Sequence, residues 1–346
     1  QVTDRYTLKG QGTEVWQPRF TYHGFRFVEV TGFPGKPTLD ALEGQVVHDD
    51  LPATGEFTCS NELINRIYRN IVWGTRGNYR SIPTDCPQRD ERQGWLGDRS
   101  EECKGEAYLF NIAPLYAKWR QDIADAQKPS GSLPDVAPAY WPIYSDNVTW
   151  PSSSVIIPNA LRRQFGDTMS LSRDYESSKH WVEYMLGFAT NHIISRDSYG
   201  DWCVPPEEPL LIHSKDPARQ TDKALLATSY FYFDLRLMER YARLLGKSAD
   251  GERWGGLAEQ FKAAFNTRFL NRERGQYDNG SQTACVLPLA FGLVPAEFQQ
   301  RVFDRLVDKI ENETKGHIGT GLIGGQYLNR VLSDHGRADL AYRIAS

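Results

Sequence analysis

A change of hydrophobic period near residue 60 constrains this 346-residue chain more than any other feature. Before it, apolar and polar residues alternate. Phe25, Phe27 and Val30 in residues 21–30 predict a half-buried strand, residues 6–8 and 45–47 are shorter candidates, and 32–37 (Gly-Phe-Pro-Gly-Lys-Pro) is a turn cluster. After it, Leu63, Ile64, Ile67, Tyr68, Ile71 and Val72 recur every 3.6 residues and predict a helix over 61–80. Ser60 is placed to cap that helix, with Asn61 and Glu62 in its first turn. Further helices are expected over 101–125, 174–189, 222–245, 254–265, 295–310 and 325–332. A last one starts near Gly336 and is still running at Ser346.

Helix–loop–helix units of irregular length, without a fixed repeat, predict a mainly α fold: an (α/α)6 toroid barrel of helical hairpins. A doubly wound or TIM-type α/β fold is disfavoured, because few apolar β-type runs alternate with the helices. Residues 1–55 hold too few strands for a sandwich of their own. They are expected to be the C-terminal strands of a β-sandwich domain and a linker, with the toroid over 56–346. Residues 337–344 form an amphipathic pattern with no Gly or Pro to end it, so the toroid is expected to be incomplete at its C-terminus.

Charge and composition remove several function classes. The formal net charge is −4 with no strongly basic stretch, which argues against nucleic acid as a partner. No apolar run reaches the roughly 20 residues a membrane span needs. The five Cys are widely spaced and odd in number, and the seven His form no metal-type cluster, so no metal site is expected. The start, Gln1-Val2-Thr3-Asp4, carries no signal peptide. The compartment therefore stays open between cytoplasmic and periplasmic or secreted, and a homodimer is compatible with the chain.

Residues 85–98, Asp-Cys-Pro-Gln-Arg-Asp-Glu-Arg-Gln-Gly-Trp-Leu-Gly-Asp, concentrate the candidate chemistry. Pro83, Pro87, Gly94 and Gly97 exclude a long helix and predict a loop. Carboxylates bind hydroxyls and move protons, and a Trp face covers the apolar side of a pyranose ring, so an acidic loop around Trp95 suits a sugar site. Glu91 is the candidate general acid. Asp90 beside it favours the protonated form, and Arg89 and Arg92 favour the ionised one. Asp85 and Asp98 flank it as candidate hydroxyl ligands. The plain alternative is a solvated loop of local ion pairs.

Two more loops carry a Trp beside amide or carboxyl groups: Trp150 after Asp146-Asn147-Val148-Thr149, and Trp202 after Tyr199-Gly200-Asp201. Core plug and sugar wall are equal readings for both. His317 lies in a Gly-rich loop before a helix, where a sugar contact and a backbone-satisfied His are equal alternatives. That loop lacks the Lys and the glycine register of a phosphate cradle. Ser152-Ser153-Ser154 lacks the elbow of a serine nucleophile.

Residues 85–98 closely resemble the acidic signature of the bacterial α-L-rhamnosidases, glycoside hydrolase family 78. Residues 22–30 resemble that family's final β-domain strand, and residues 57–61 the start of its helical domain. Gly200-Asp201-Trp202 and Thr320-Gly321-Leu322-Ile323-Gly324 fall in its order and spacing. The resemblance implies an (α/α)6 barrel that removes terminal α-L-rhamnose with inversion and without a metal or organic cofactor, acting on a rhamnose-containing glycoside or oligosaccharide. It matches Glu91 to the general acid and Asp85 and Asp98 to rhamnose-holding carboxylates. Trp95, Trp150 and Trp202 match pocket aromatics, and His317 a pocket histidine. The stretch after Trp150 reads Pro-Ser-Ser-Ser where the family has Gly and Asp. The family's general base is a Glu in a segment rich in Gly, Thr and Trp, and no match to it precedes Ser346. Three other readings remain at this stage: a non-catalytic carbohydrate-binding protein on the same scaffold, a glycosidase for another sugar, and a polysaccharide lyase. Arg89 and Arg92 stand too close to the acids to favour the lyase.

Overall fold

The structure is a computed structural model that describes residues 2–100 and 102–346. Eleven α-helices carry the fold among these residues. They are α1 (Glu62–Asn78), α2 (Glu102–Glu106), α3 (Ala113–Asp125), α4 (Ser153–Phe165), α5 (Met169–Leu186) and α6 (Lys223–Leu244), followed by α7 (Ser248–Phe269), α8 (Gln282–Phe291), α9 (Gln299–Asp308), α10 (Leu322–Asp334) and α11 (Ala338–Ala345). Two short strands, β1 (Leu270–Asn271) and β2 (Gln276–Tyr277), pair antiparallel after α7.

Helices pack with the next helix in the chain and with the next but one. Thus α4 touches α2, α3, α5 and α6, while α8 touches α6, α9 and α10. This arrangement gives an inner ring of α2, α4, α6, α8 and α10 inside an outer layer of α3, α5, α7, α9 and α11. Of the inner helices, α4, α6 and α8 are buried over most of their surface, while α10 exposes Asn329 and Ser333. Nine successive residues of α4, Ser153 to Leu161, lie in the core. Each Ile or Leu so buried contributes roughly 2 kcal/mol of transfer free energy. Outer helices are one-sided, and α9 buries only Val302, Phe303 and Leu306.

The predicted helices appear with shifted ends. Asn61, not Ser60, caps α1, its side chain accepting from Leu63 N at 2.9 Å. The helix expected over 101–125 is two, α2 and α3, because residues 107–112 turn the chain before Pro114 starts α3. The period was not legible in α4 and α8, which both hold a proline, Pro158 and Pro288. Their surroundings over-determine the helix: all-round burial outweighs the roughly 3 kcal/mol that an internal proline costs.

The strands expected in residues 1–55 are not formed among the described residues. Residues 2–55 hold a single 3-10 turn (Leu39–Ala41) and otherwise no regular element. Phe20, Phe25 and Phe27 are exposed. A strand exists only through a partner's N–H and C=O groups, and among the described residues only Ala53 finds one, in an isolated antiparallel bridge to Phe110. The linker is anchored: Asn111 N donates to Pro52 O at 2.8 Å and Thr54 N to Leu109 O at 3.1 Å.

The inner helices alternate with outer ones and therefore run in the same sense. Loops that precede α2, α4, α6, α8 and α10 accordingly gather at one end of the ring. Gln326 of α10 closes the ring there, donating to Gly97 O at 3.3 Å and accepting from Ser100 Oγ at 2.8 Å.

Candidate active site

Residues 85–98 form a loop at that end, pinned by their own backbone. Asp85 N donates to Gln93 O at 2.9 Å, and Gln93 N returns a bond to Asp85 Oδ1 at 2.8 Å. Farther on, Leu96 N donates to Asp135 O and Ala137 N to Gly94 O, both at 2.9 Å, which lays residues 94–96 along 135–137. Ser153 Oγ of α4 donates to Leu96 O. Arg99 turns inward to a buried pair with Glu106, whose carboxylate also accepts from Tyr79 and Tyr116. This cluster fixes the foot of the loop.

Glu91 is held from two sides. Trp95 Nε1–H donates to Oε1 at 2.9 Å, and Arg89 approaches Oε2 at 2.8 Å. Arg89 also stands 3.8 Å from Asp85 Oδ2. Asp85 Oδ2 accepts from the Cys86 thiol at 2.9 Å, and burial pushes that thiol's pKa up, with the Asp85 bond adding to it. Donor atoms of Asp85, Cys86 and Glu91 lie within 4.8 Å of one another, a set able to take a divalent cation. The Arg89 guanidinium already pairs with both carboxylates. Asp90 is exposed, and Arg92 turns away, its Nε donating to Pro87 O at 3.1 Å and its guanidinium over the Tyr22 ring at 4.5 Å.

Asp98 is the middle residue of a 3-10 turn (Gly97–Arg99), with no hydrogen-bond donor on its carboxylate among the described residues. Burial raises its pKa to about 6. Asp85 and Glu91 push the same way, and Arg99 opposes them. The three carboxylates therefore share one electrostatic environment.

An aromatic cluster stands beside them. Tyr199 is its hub: Trp150 at 4.4 Å between ring centroids, Trp95 edge-on at 6.0 Å, and Trp202 edge-on at 6.4 Å. Tyr199 Oη donates to Asp135 Oδ2 at 2.7 Å, and Ser145 Oγ to Asp135 Oδ1 at 2.8 Å. Burial raises the Asp135 pKa against these two donors. Trp150 is 3% exposed and lies flat on Gly97, where an added Cβ would sit 2.3 Å from the indole. Trp202 is 43% exposed. One indole is thus a buried plate, and the other an open face.

The structure brings Asp85, Glu91, Trp95, Asp98, Trp150 and Trp202 into one region. It does not join His317 to them. That residue is exposed, its carbonyl accepts from Gln282 and Thr314, and its ring has no partner among the described residues. Glu207 serves its own loop, accepting from Ser214 Oγ at 2.6 Å. Ser152 and Ser153 are fully buried and bonded to Asp234 and Leu96, which suits structural serines. Sequence reasoning passed over Tyr199 and Asp135. A lone Tyr or Asp in a loop has no spacing signature, and only the position of Tyr199 three residues before Trp202 hinted at a shared wall.

With this geometry in view, the chain can be compared with known proteins. Residues 52–346 match the bacterial alpha-L-rhamnosidase 6 hairpin glycosidase domain. The chain belongs to the bacterial α-L-rhamnosidase family. Residues 1–48 match that family's concanavalin-like domain, which accounts for the alternating pattern seen there without paired strands. An α-L-rhamnosidase of Streptomyces avermitilis is 39% identical over 343 residues, which is 99% of this chain and 32% of that protein. The crystal structure of a Streptomyces avermitilis α-L-rhamnosidase complexed with L-rhamnose matches with a TM-score of 0.90 at 38% identity, over 98% of this chain and 31% of that one. The structure of the Dictyoglumus thermophilum α-L-rhamnosidase gives a TM-score of 0.89 at 42% identity, over 95% of this chain and 37% of that one. The chain thus spans about a third of the length of the curated relatives it matches. No helix among the described residues is long and apolar enough to cross a membrane.

Proposed function

We propose that this chain carries the sugar pocket of an α-L-rhamnosidase, which removes terminal α-L-rhamnose from glycosides or oligosaccharides by inverting general acid/base hydrolysis. The observation that carries the proposal is the Glu91 carboxyl, fixed by the Trp95 N–H at 2.9 Å beside Asp85 and the aromatic cluster. Glu91 donates its proton to the glycosidic oxygen as the bond to the leaving group breaks. Trp95 holds the carboxyl in one orientation, and Arg89, largely exposed, is free to move aside when substrate enters. Asp85 and Asp98 accept hydrogen bonds from sugar hydroxyls. A sugar lacking a matching hydroxyl leaves a carboxylate buried and unpaired, which is the source of selectivity. Trp95 and Trp202 offer ring faces to the apolar side of the sugar, and Trp150 backs them.

The second carboxylate, the base that activates water, we place outside this chain, in keeping with relatives of which it spans about a third. In an inverting site the two carboxyls stand roughly 6.5–9.5 Å apart, with room for that water. A domain border near residue 55, between a β-sandwich and the toroid, goes with the same reading and is supported by the matches ending at 48 and starting at 52.

The test is Glu91→Gln in the full-length protein, assayed on aryl α-L-rhamnosides. Loss of a general acid costs about 10²–10⁴-fold on a poor leaving group and much less on a nitrophenolate. Unchanged turnover of the poor leaving group would remove Glu91 from the role. Proton NMR of the first product decides the stereochemistry: β-L-rhamnose appearing first supports inversion, and the α anomer overturns it.

A further inference from the structure

We propose that Asp201 is a positioning residue that staples the Trp202 loop onto the N-terminal ends of α8 and α10, and so sets the indole face that meets the sugar; this rests on the pocket role given to Trp202 above.

The Asp201 carboxylate takes four donors from two inner helices. Oδ2 accepts from Thr283 Oγ1 in the first turn of α8 and from Gly321 N at 2.8 Å. Oδ1 accepts from Ile323 N at 2.9 Å and Gly324 N at 3.1 Å, at the start of α10. A helix begins with N–H groups that lack intrahelical partners and a partial positive charge, and a carboxylate satisfies both. The next residue is tied by its backbone, since Leu322 N donates to Trp202 O at 2.7 Å. The Trp202 main chain is thus clamped while its ring stays open to solvent, near-perpendicular to the Tyr199 ring and tilted by 41° to the His213 ring.

The glycines of Thr320-Gly321-Leu322-Ile323-Gly324 follow from this staple. A Cβ on Gly321 would lie 2.4 Å from Trp202 O and 2.5 Å from Asp201 O, and one on Gly324 would lie 2.2 Å from Thr283 Oγ1. The Gly-rich loop that looked like a weak phosphate cradle is a receptor for the chain's own carboxylate. Its anion site is filled from within, and the loop ahead of α6 is thereby registered against α10. Both Asp201 oxygens are taken by these four donors, so it acts through Trp202.

The experiment uses the full-length protein with 5-fluorotryptophan incorporated, the Trp202 resonance being assigned by its loss in Trp202→Phe. Asp201→Asn puts an NH2 where Gly321 N and Thr283 need an acceptor. Thr283→Val removes one donor, and Thr283→Ser keeps it. The expected result is a shifted, broadened Trp202 line in Asp201→Asn and Thr283→Val, with the parent line in Thr283→Ser. On an aryl α-L-rhamnoside the first two raise KM about tenfold and leave kcat within about twofold, the pattern of lost binding contacts. If Asp201→Asn fails to fold, Thr283→Val carries the comparison. A lowered Tm with parent KM and parent resonance marks a purely structural residue and overturns the proposal. A wild-type protein that cleaves no rhamnoside overturns the function proposed above, and the Trp202 line still reports on the staple.

Discussion

Trp95 and Glu91, four residues apart, are joined side chain to side chain: the indole N–H donates to Glu91 Oε1 at 2.9 Å. The bond fixes the rotamer of the proposed acid without using the oxygen that Arg89 holds. Trp95→Phe keeps a ring and removes the donor. Its expected effect is a loss of roughly 10- to 100-fold in kcat on rhamnosides of poor leaving group, comparable with removing one preorganised donor. Steady-state kinetics beside a thermal melt check it, with Tm within a few degrees of the parent.

Asp98 makes a prediction about stability and pH. Its folded pKa of about 6 lies above the ordinary 3.8, so the folded protein binds a proton more tightly than the unfolded chain. A carboxyl raised in this way costs nothing below pH 4, and its cost grows until about pH 6 and then levels off. Asp98→Asn should therefore stabilise the protein by about 1–3 kcal/mol at pH 7 and by little at pH 4. Denaturant midpoints at the two pH values read this directly. Equal shifts at both would contradict the raised pKa. The same variant should lose rhamnoside turnover, a trade between stability and activity common at polar sites.

Gly97 and Trp150 predict a packing defect. An added Cβ at Gly97 would fall 2.3 Å from two atoms of the indole, and that indole is buried and unable to step aside. Gly97→Ala should cost about 1–3 kcal/mol through overpacking. It should also displace the Tyr199 ring, which rests against Trp150 at 4.4 Å. Thermal unfolding checks the first effect and near-UV circular dichroism the second. A variant with parental Tm and aromatic signal would contradict the contact.

Much of the site was legible in the sequence because its chemistry is concentrated in one loop. Four carboxylates, two Arg and a Trp within fourteen positions are hard to reconcile with a mere connector. The inner helices were partly illegible for a physical reason: Val155, Ile156 and Ile157 of α4 face apolar neighbours on all sides, so no period survives, and Pro158 adds a false stop. Residues 21–30 show the reverse case. Their alternation is clear, yet no neighbouring strand among the described residues turns it into a ladder. Tyr199 and Asp135, which hold the aromatic cluster together, meet from 64 positions apart, a pairing that no local pattern encodes.

Every loop of this pocket hangs from the leading end of a different inner helix, while the trailing ends and the outer layer only pack. Evolution can therefore edit the exposed tip of one loop at a time, while the buried feet stay tied to one another. An insertion at the exposed Tyr140 would alter the wall of the proposed pocket, and the bundle keeps its own reasons to fold. Directed diversification confined to residues 138–142 and 205–213, none of them buried, would draw on the same separation and leave the buried anchors Asp135, Trp150 and Val204 in place.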